Sequence, residues 1–299
     1  MNNALEVLKR EFKPYRLTKK KNVTIIDSTS GTFVVKEKKD NKVANAYEYL
    51  KSRNFDYFPP LALNDRGDVN VFEYIEDVKM PKEQKAMDMV DLVALLHNKT
   101  TYFKEVTEDK YKEIYENLKD NIIYTKNYYD FLYEKLIEEV YPSPSHYLLM
   151  RNIYKIFESL DFCTNELEDW FEKSRNEKKT RVAFIHNNLE TDHFIKNNRE
   201  YLISWEKSKI DSPVLDLIGF YQKEYMNLNF EAILERYFRS YPLSPEEKHL
   251  FFLVISIPPI INLEGSELSI TKEIRKKLDY MFKTENLVKN LLPPNNGDR

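Results

Sequence analysis

The sequence predicts an α+β fold in two lobes, a small β-rich one at the N-terminus and a large, mainly helical one after it. Three observations carry this reading. Short β-branched runs separated by turn residues fill the first quarter of the chain. From Pro81 onward, apolar residues recur at spacings of three and four. A strand-like stretch near 181–206 then interrupts the helical pattern. The boundary falls at 78/79, giving an N-terminal lobe at 1–78 and a C-terminal lobe at 79–299, with the 181–206 insertion carrying the candidate site.

Taken in order, Val23-Thr24-Ile25-Ile26 and Thr32-Phe33-Val34-Val35-Lys36 flank Asp27-Ser28-Thr29-Ser30-Gly31, whose turn residues predict a hairpin. The basic run Lys19-Lys20-Lys21 reads as a solvated turn entering the first strand. A helix is expected over 43–52, ended by Phe58-Pro59-Pro60. Strands follow near 61–63 and 69–75 around the turn at 64–68. In the second lobe, Met87, Val90, Leu92, Val93, Leu95 and Leu96 form an apolar face ending at His97. Ile114 to Ile137 and 147–173 continue the helical spacing. Helices resume from Pro213, broken at Pro258-Pro259.

Composition narrows the function classes. A net charge of −3 gives no overall pull toward nucleic acid or an anionic membrane. A single cysteine, Cys163, excludes a disulfide framework and a cysteine-rich zinc site, and suits a reducing compartment. The residues Met1-Asn2-Asn3-Ala4 carry no apolar signal region, and the run from Leu250 to Ile261 is too short for a bilayer, so the expectation is cytoplasmic.

The richest stretch is Arg181 to Ile195, followed by Tyr201-Leu202-Ile203-Ser204-Trp205-Glu206: an apolar strand, a His-led loop, a short strand, then a strand ending in an acidic cluster. With Val34-Val35-Lys36, the helix 44–51, Val71-Phe72-Glu73-Tyr74-Ile75-Glu76, Leu95-Leu96-His97, Pro213 and Asp216-Leu217, this order resembles the aminoglycoside phosphotransferase and choline kinase superfamily, especially its spore-coat kinase-like branch. The resemblance spans most of the chain and implies a protein-kinase-like fold. It implies nucleotide-side roles for Lys36, for Glu48 as that lysine's ion-pair carboxylate, and for Glu73 on the hinge strand. The family's His-Gly-Asp-Leu loop, with Asn five positions after the Asp, maps without gaps onto His186 through Ile195. Its Ile-Asp-Trp-Glu strand maps onto Ile203 to Glu206.

The same mapping places Asn188 where the family has its catalytic base, and His193 and Ser204 where it has its metal ligands. Phosphoryl transfer is mostly positioning and charge neutralisation by such groups. An amide is no useful base, a hydroxyl is a poor substitute for a magnesium carboxylate, and imidazole suits a hard cation badly. A phosphate-covering loop would fall around Lys21-Asn22, yet no glycine precedes Gly31. The leading reading is therefore a pseudokinase-like binding or structural module with an unknown protein or small-molecule partner and no cofactor. The alternative is an active ATP- and Mg-dependent small-molecule phosphotransferase, rewired through Glu190 as base and Glu206 as metal ligand. A sensor that binds nucleotide without turnover is a third possibility. Ser204 lacks the flanking glycines of a hydrolase nucleophile elbow. His186 is expected to shape its loop rather than do chemistry, and Trp205 to be a core aromatic.

Overall fold

The computed structural model describes residues 13–20, 23–38, 40–63 and 69–292. Packing divides the chain into two compact units, 1–100 with 184–210, and 101–183 with 211–299.

The first unit is built on an antiparallel sheet of β1 (Pro14–Lys20), β2 (Val23–Ser28), β3 (Gly31–Glu37), β4 (Leu61–Leu63) and β5 (Val69–Glu73), in the order β1-β2-β3-β5-β4. The β2–β3 hairpin closes at Gly31, whose φ of +135° suits only glycine. Ile26, Val35 and Val71 are the buried layer beneath it. Strand β1 is an addition to the sequence reading: Lys19 and Lys20 lie in this edge strand rather than in a turn. Lys21-Asn22, the expected place of a phosphate-covering loop, and the turn at 64–68 lie outside the described residues.

Helix α1 (Lys42–Ser52) buries Val43, Ala46, Tyr47 and Leu50, the i, i+3, i+4, i+7 stripe of an amphipathic helix. It ends with Asn54 in the left-handed region (φ 55°), where Asn54 N–H donates to Lys51 O and Phe55 N–H to Leu50 O. Helix α2 (Lys82–Thr100) buries Met89, Val93, Leu96 and His97. Thr100 Oγ1 accepts from the Phe184 amide at 3.1 Å and donates to Leu96 O at 2.7 Å, which ties the end of α2 to the start of the His-led loop.

In the second unit β6 (Tyr102–Glu105) pairs antiparallel with β7 (Lys179–Ile185). The long helices α3 (Glu108–Ile137) and α4 (Pro144–Ser174) pack together around Tyr129, Ile156, Cys163 and Trp170. Helices α5 (Val214–Glu224), α6 (Phe230–Ser240), α7 (Pro245–Ser256) and α8 (Glu267–Leu291) complete the unit. Ser244 and Glu247 form a capping box at the start of α7, and Arg181 pairs with Glu247. Tyr129 Oη donates to Pro259 O at 2.7 Å and accepts from the Ile261 amide, which fixes the proline break after α7. No helix among the described residues is long and apolar enough to cross a membrane.

Candidate functional site

Lys36 is the centre of the site. On β3 its neighbour Val35 points into the sheet's core, which turns Lys36 to the opposite face. Its Nζ donates to Ser204 Oγ at 3.0 Å and to Glu206 Oε1 at 2.9 Å. Burial would raise the Glu206 carboxyl, but the charge and hydrogen bond of Lys36 outweigh it and hold the group below the usual carboxylate range. Burial, reinforced by the negative charge of Glu206, pushes the Tyr47 phenol well up. Tyr47 lies in the buried stripe of α1, its ring stacked on Phe58 at 3.9 Å. Glu48, expected as the partner of Lys36, is exposed on α1, and Lys36 is paired with Glu206 instead. The reason is helical phase: the stripe Val43, Ala46, Tyr47, Leu50 faces inward and carries position 48 outward.

The His-led loop is braced by backbone contacts. His186 is fully buried, and its Nε2–H donates to Ile203 O at 2.8 Å, with the ring edge-on to Trp205 at 4.7 Å. Asn187 sits in the left-handed region (φ 56°), at the place of the family's glycine, and its side chain donates to Lys207 O. Asn188 is half-buried. Its backbone carbonyl accepts from His193 Nδ1–H at 2.7 Å, which fixes the imidazole against the loop. Glu190 and His193 bound a single 3-10 turn (Thr191–His193), with the His193 amide donating to Glu190 O. Asp192 is exposed.

The strand predicted through Ser204 stops earlier. Strands β8 (Phe194–Lys196) and β9 (Glu200–Leu202) form a tight hairpin, after which Ser204 adopts φ 70° and ψ 52°. That left-handed bend is uncommon for a residue with a side chain, and it aims Oγ at Lys36. Trp205 then packs in the core among Phe55, Phe184 and His186, donating Nε1–H to Leu202 O at 2.7 Å. The hairpin is anchored to the segment after β5: Asp77 accepts from the Lys196 amide, Lys196 O accepts from the Val78 amide, and Asn197 donates to Glu76 O. Beside this anchor lies a cleft of about 540 Å³ lined by Thr32, Tyr74, Ile75, Glu76, Asn197, Asn198 and Tyr201. None of Lys36, Asn188, His193, Ser204 or Glu206 lines it. Glu73 is exposed at the end of β5.

No family model matches the chain, and no curated protein matches it in sequence. Solved structures do match in shape. An aminoglycoside phosphotransferase from Alicyclobacillus acidocaldarius is 10% identical with a TM-score of 0.64, over 93% of this chain and 92% of that one. The spectinomycin phosphotransferase APH(9)-Ia bound to AMP is 12% identical with a TM-score of 0.54, over 98% and 95%. A choline kinase from Cryptosporidium parvum is 11% identical with a TM-score of 0.50, over 97% and 96%. The chain has the aminoglycoside phosphotransferase and choline kinase fold. At such identities the likeness is one of fold alone.

Within that fold, the residues at the expected metal positions do not suit magnesium. Mg²⁺ seeks oxygen ligands with carboxylate or phosphate charge. Ser204 Oγ has an ammonium 3.0 Å away, and Glu206 is paired with that same ammonium. Among the described residues, no cluster of three or more metal-ligating side chains includes His193 or Glu206. Two contributors escaped the sequence reading: Tyr47, whose place in the apolar stripe of α1 was a usable signal, and Thr100, whose bond to Phe184 left none.

Proposed function

We propose that this protein is a pseudokinase-like member of the phosphotransferase fold, inactive in phosphoryl transfer and serving as a binding or structural module for a protein or small-molecule partner. One observation carries the reading. The lysine that would meet nucleotide phosphates is neutralised at 2.9 Å by Glu206 and hydrogen-bonded to Ser204, so the pocket's positive charge is already satisfied from within. The amide of Asn188 at the base position supports the same reading, as does the imidazole of His193 at a metal position. No nucleic acid or membrane partner is proposed, in keeping with the net charge of −3.

The rewired phosphotransferase is the second reading, with Glu190 as base and Glu206 as metal ligand, favoured by the place of Glu190 at the head of the 3-10 turn that ends at His193. The test is incubation of the purified protein with labelled ATP, Mg²⁺ or Mn²⁺, and sugars, amino alcohols and aminoglycosides. The proposal expects no labelled product and no metal-dependent thermal shift with ATP. Turnover that vanishes in Glu190→Gln or Glu206→Gln overturns it in favour of the rewired enzyme.

A further inference from the structure

A second group of chemistry-bearing side chains lies in the helical unit, and the phosphotransferase fold does not account for it. Glu166 and Asp169 stand three apart on α4, hence on one helix face, and His249 faces them from α7. The two helices are fixed against each other independently, Ser159 Oγ donating to Ser256 O at 2.8 Å. One ligand-type atom from each of the three residues lies within 4.8 Å of the others.

An acidic pair beside a histidine is ordinary, but the state of the imidazole is not. His249 is only 7% exposed, and its Nε2 is buried with no hydrogen-bond partner. Yet Glu166 Oε2 is 2.7 Å from that nitrogen. The contact is close while the N–H direction misses the acceptor. A buried nitrogen left without a well-directed hydrogen bond costs free energy, which a cation bound beside the two atoms would recover. Tetrahedral ligand atoms about 2.0–2.2 Å from one zinc ion stand about 3.3–3.6 Å apart, so the side chains must draw in by about 1 Å to close the set. Lys173 donates to Asp169 Oδ2 from the solvent side, and a carboxylate has lone pairs for both a lysine and a metal.

We propose that Glu166, Asp169 and His249 bind a divalent transition-metal ion that clips α4 to α7. One imidazole nitrogen and two carboxylates make a borderline donor set, suited to Zn²⁺ with water as the fourth ligand and poorly suited to Mg²⁺. The site lies wholly in the helical unit and does not rest on the reading of the Lys36 site.

The test uses the full chain stripped with a chelator and titrated calorimetrically with Zn²⁺, with Mg²⁺ as control and Co²⁺ for its visible d–d absorption. Wild type is expected to take up one Zn²⁺ and to melt higher with it. Asp169→Asn and His249→Gln should each weaken binding more than about tenfold and lose most of the melting shift. Where the buried His249→Gln fails to fold, Asp169→Asn, with 37% of its side chain exposed, decides alone. Absence of zinc uptake by wild type, or unchanged zinc binding in Asp169→Asn, overturns the proposal and leaves a plain His249–Glu166 ion pair.

Discussion

Replacing Glu206 with Gln separates the two readings of the Lys36 site most sharply. The Glu206 side chain is 44% exposed and that of Lys36 19% exposed, so the pair is partly screened. Exposed ion pairs are worth about 0.2–1 kcal/mol, and hydrogen bonds to charged groups about 1.5–3 kcal/mol. A pair of intermediate exposure falls near 1–2 kcal/mol on those scales. Any anion approaching Lys36 must first displace Glu206 and give up that amount. Removing the carboxylate charge should therefore tighten binding of ATP or inorganic pyrophosphate, measured calorimetrically without metal, by about 5- to 30-fold. The gain should shrink as salt rises from about 50 to about 500 mM, because screening weakens the new contact. Stability should fall by no more than about 1–2 kcal/mol, since Ser204 still accepts from Lys36. Unchanged or weaker anion binding in Glu206→Gln would mean that Glu206 helps hold the ligand, and the self-neutralised site would be wrong.

Two further outcomes are expected. The triple change Asn188→Asp, His193→Asn and Ser204→Asp should restore Mg-dependent ATP binding before any turnover, and should melt lower than wild type until MgATP is added; Asp tolerates the left-handed backbone at 204, but two new carboxylates repel without a cation. Wild type binding MgATP as tightly as the triple variant would sink this. Burial raises the phenols of Tyr129, Tyr221 (to about 12), Tyr237 and Tyr280. Above about pH 10 the unfolded chain ionises these tyrosines while the folded one does not, so the unfolding free energy from urea titrations should drop as pH rises from about 10 to about 11, by up to about 1.4 kcal/mol per pH unit for each tyrosine; an unchanged free energy would refute it.

The sequence made the hairpin of β2 and β3 and the main helices legible because burial there follows simple periods. Strand β1 was hidden for a physical reason: Tyr15 and Leu17 are exposed, and Arg16, Lys19 and Lys20 give it the charged character of an edge strand. The phosphotransferase fold was legible from the order of the motifs around Lys36, the His-led loop and Ile203 to Glu206. The Lys36 partner was not. A motif says which strand carries a lysine, whereas the bend at Ser204 and the phase of α1 decide which carboxylate reaches it.

Lys36 is separated from Ser204 by 168 residues and from Glu206 by 170. The first unit, drawn from 1–100 and 184–210, is therefore assembled from two stretches made at different times. At roughly 5–20 residues per second, the ribosome needs about 5–20 s to travel from the end of the first stretch to the end of the second. Throughout that wait the nascent β-sheet has no Trp205 against Phe55 and no counter-charge for Lys36. Completion of the N-terminal unit thus waits on synthesis of about half of the helical one, and a chain stalled in between leaves Phe55 without its indole cover.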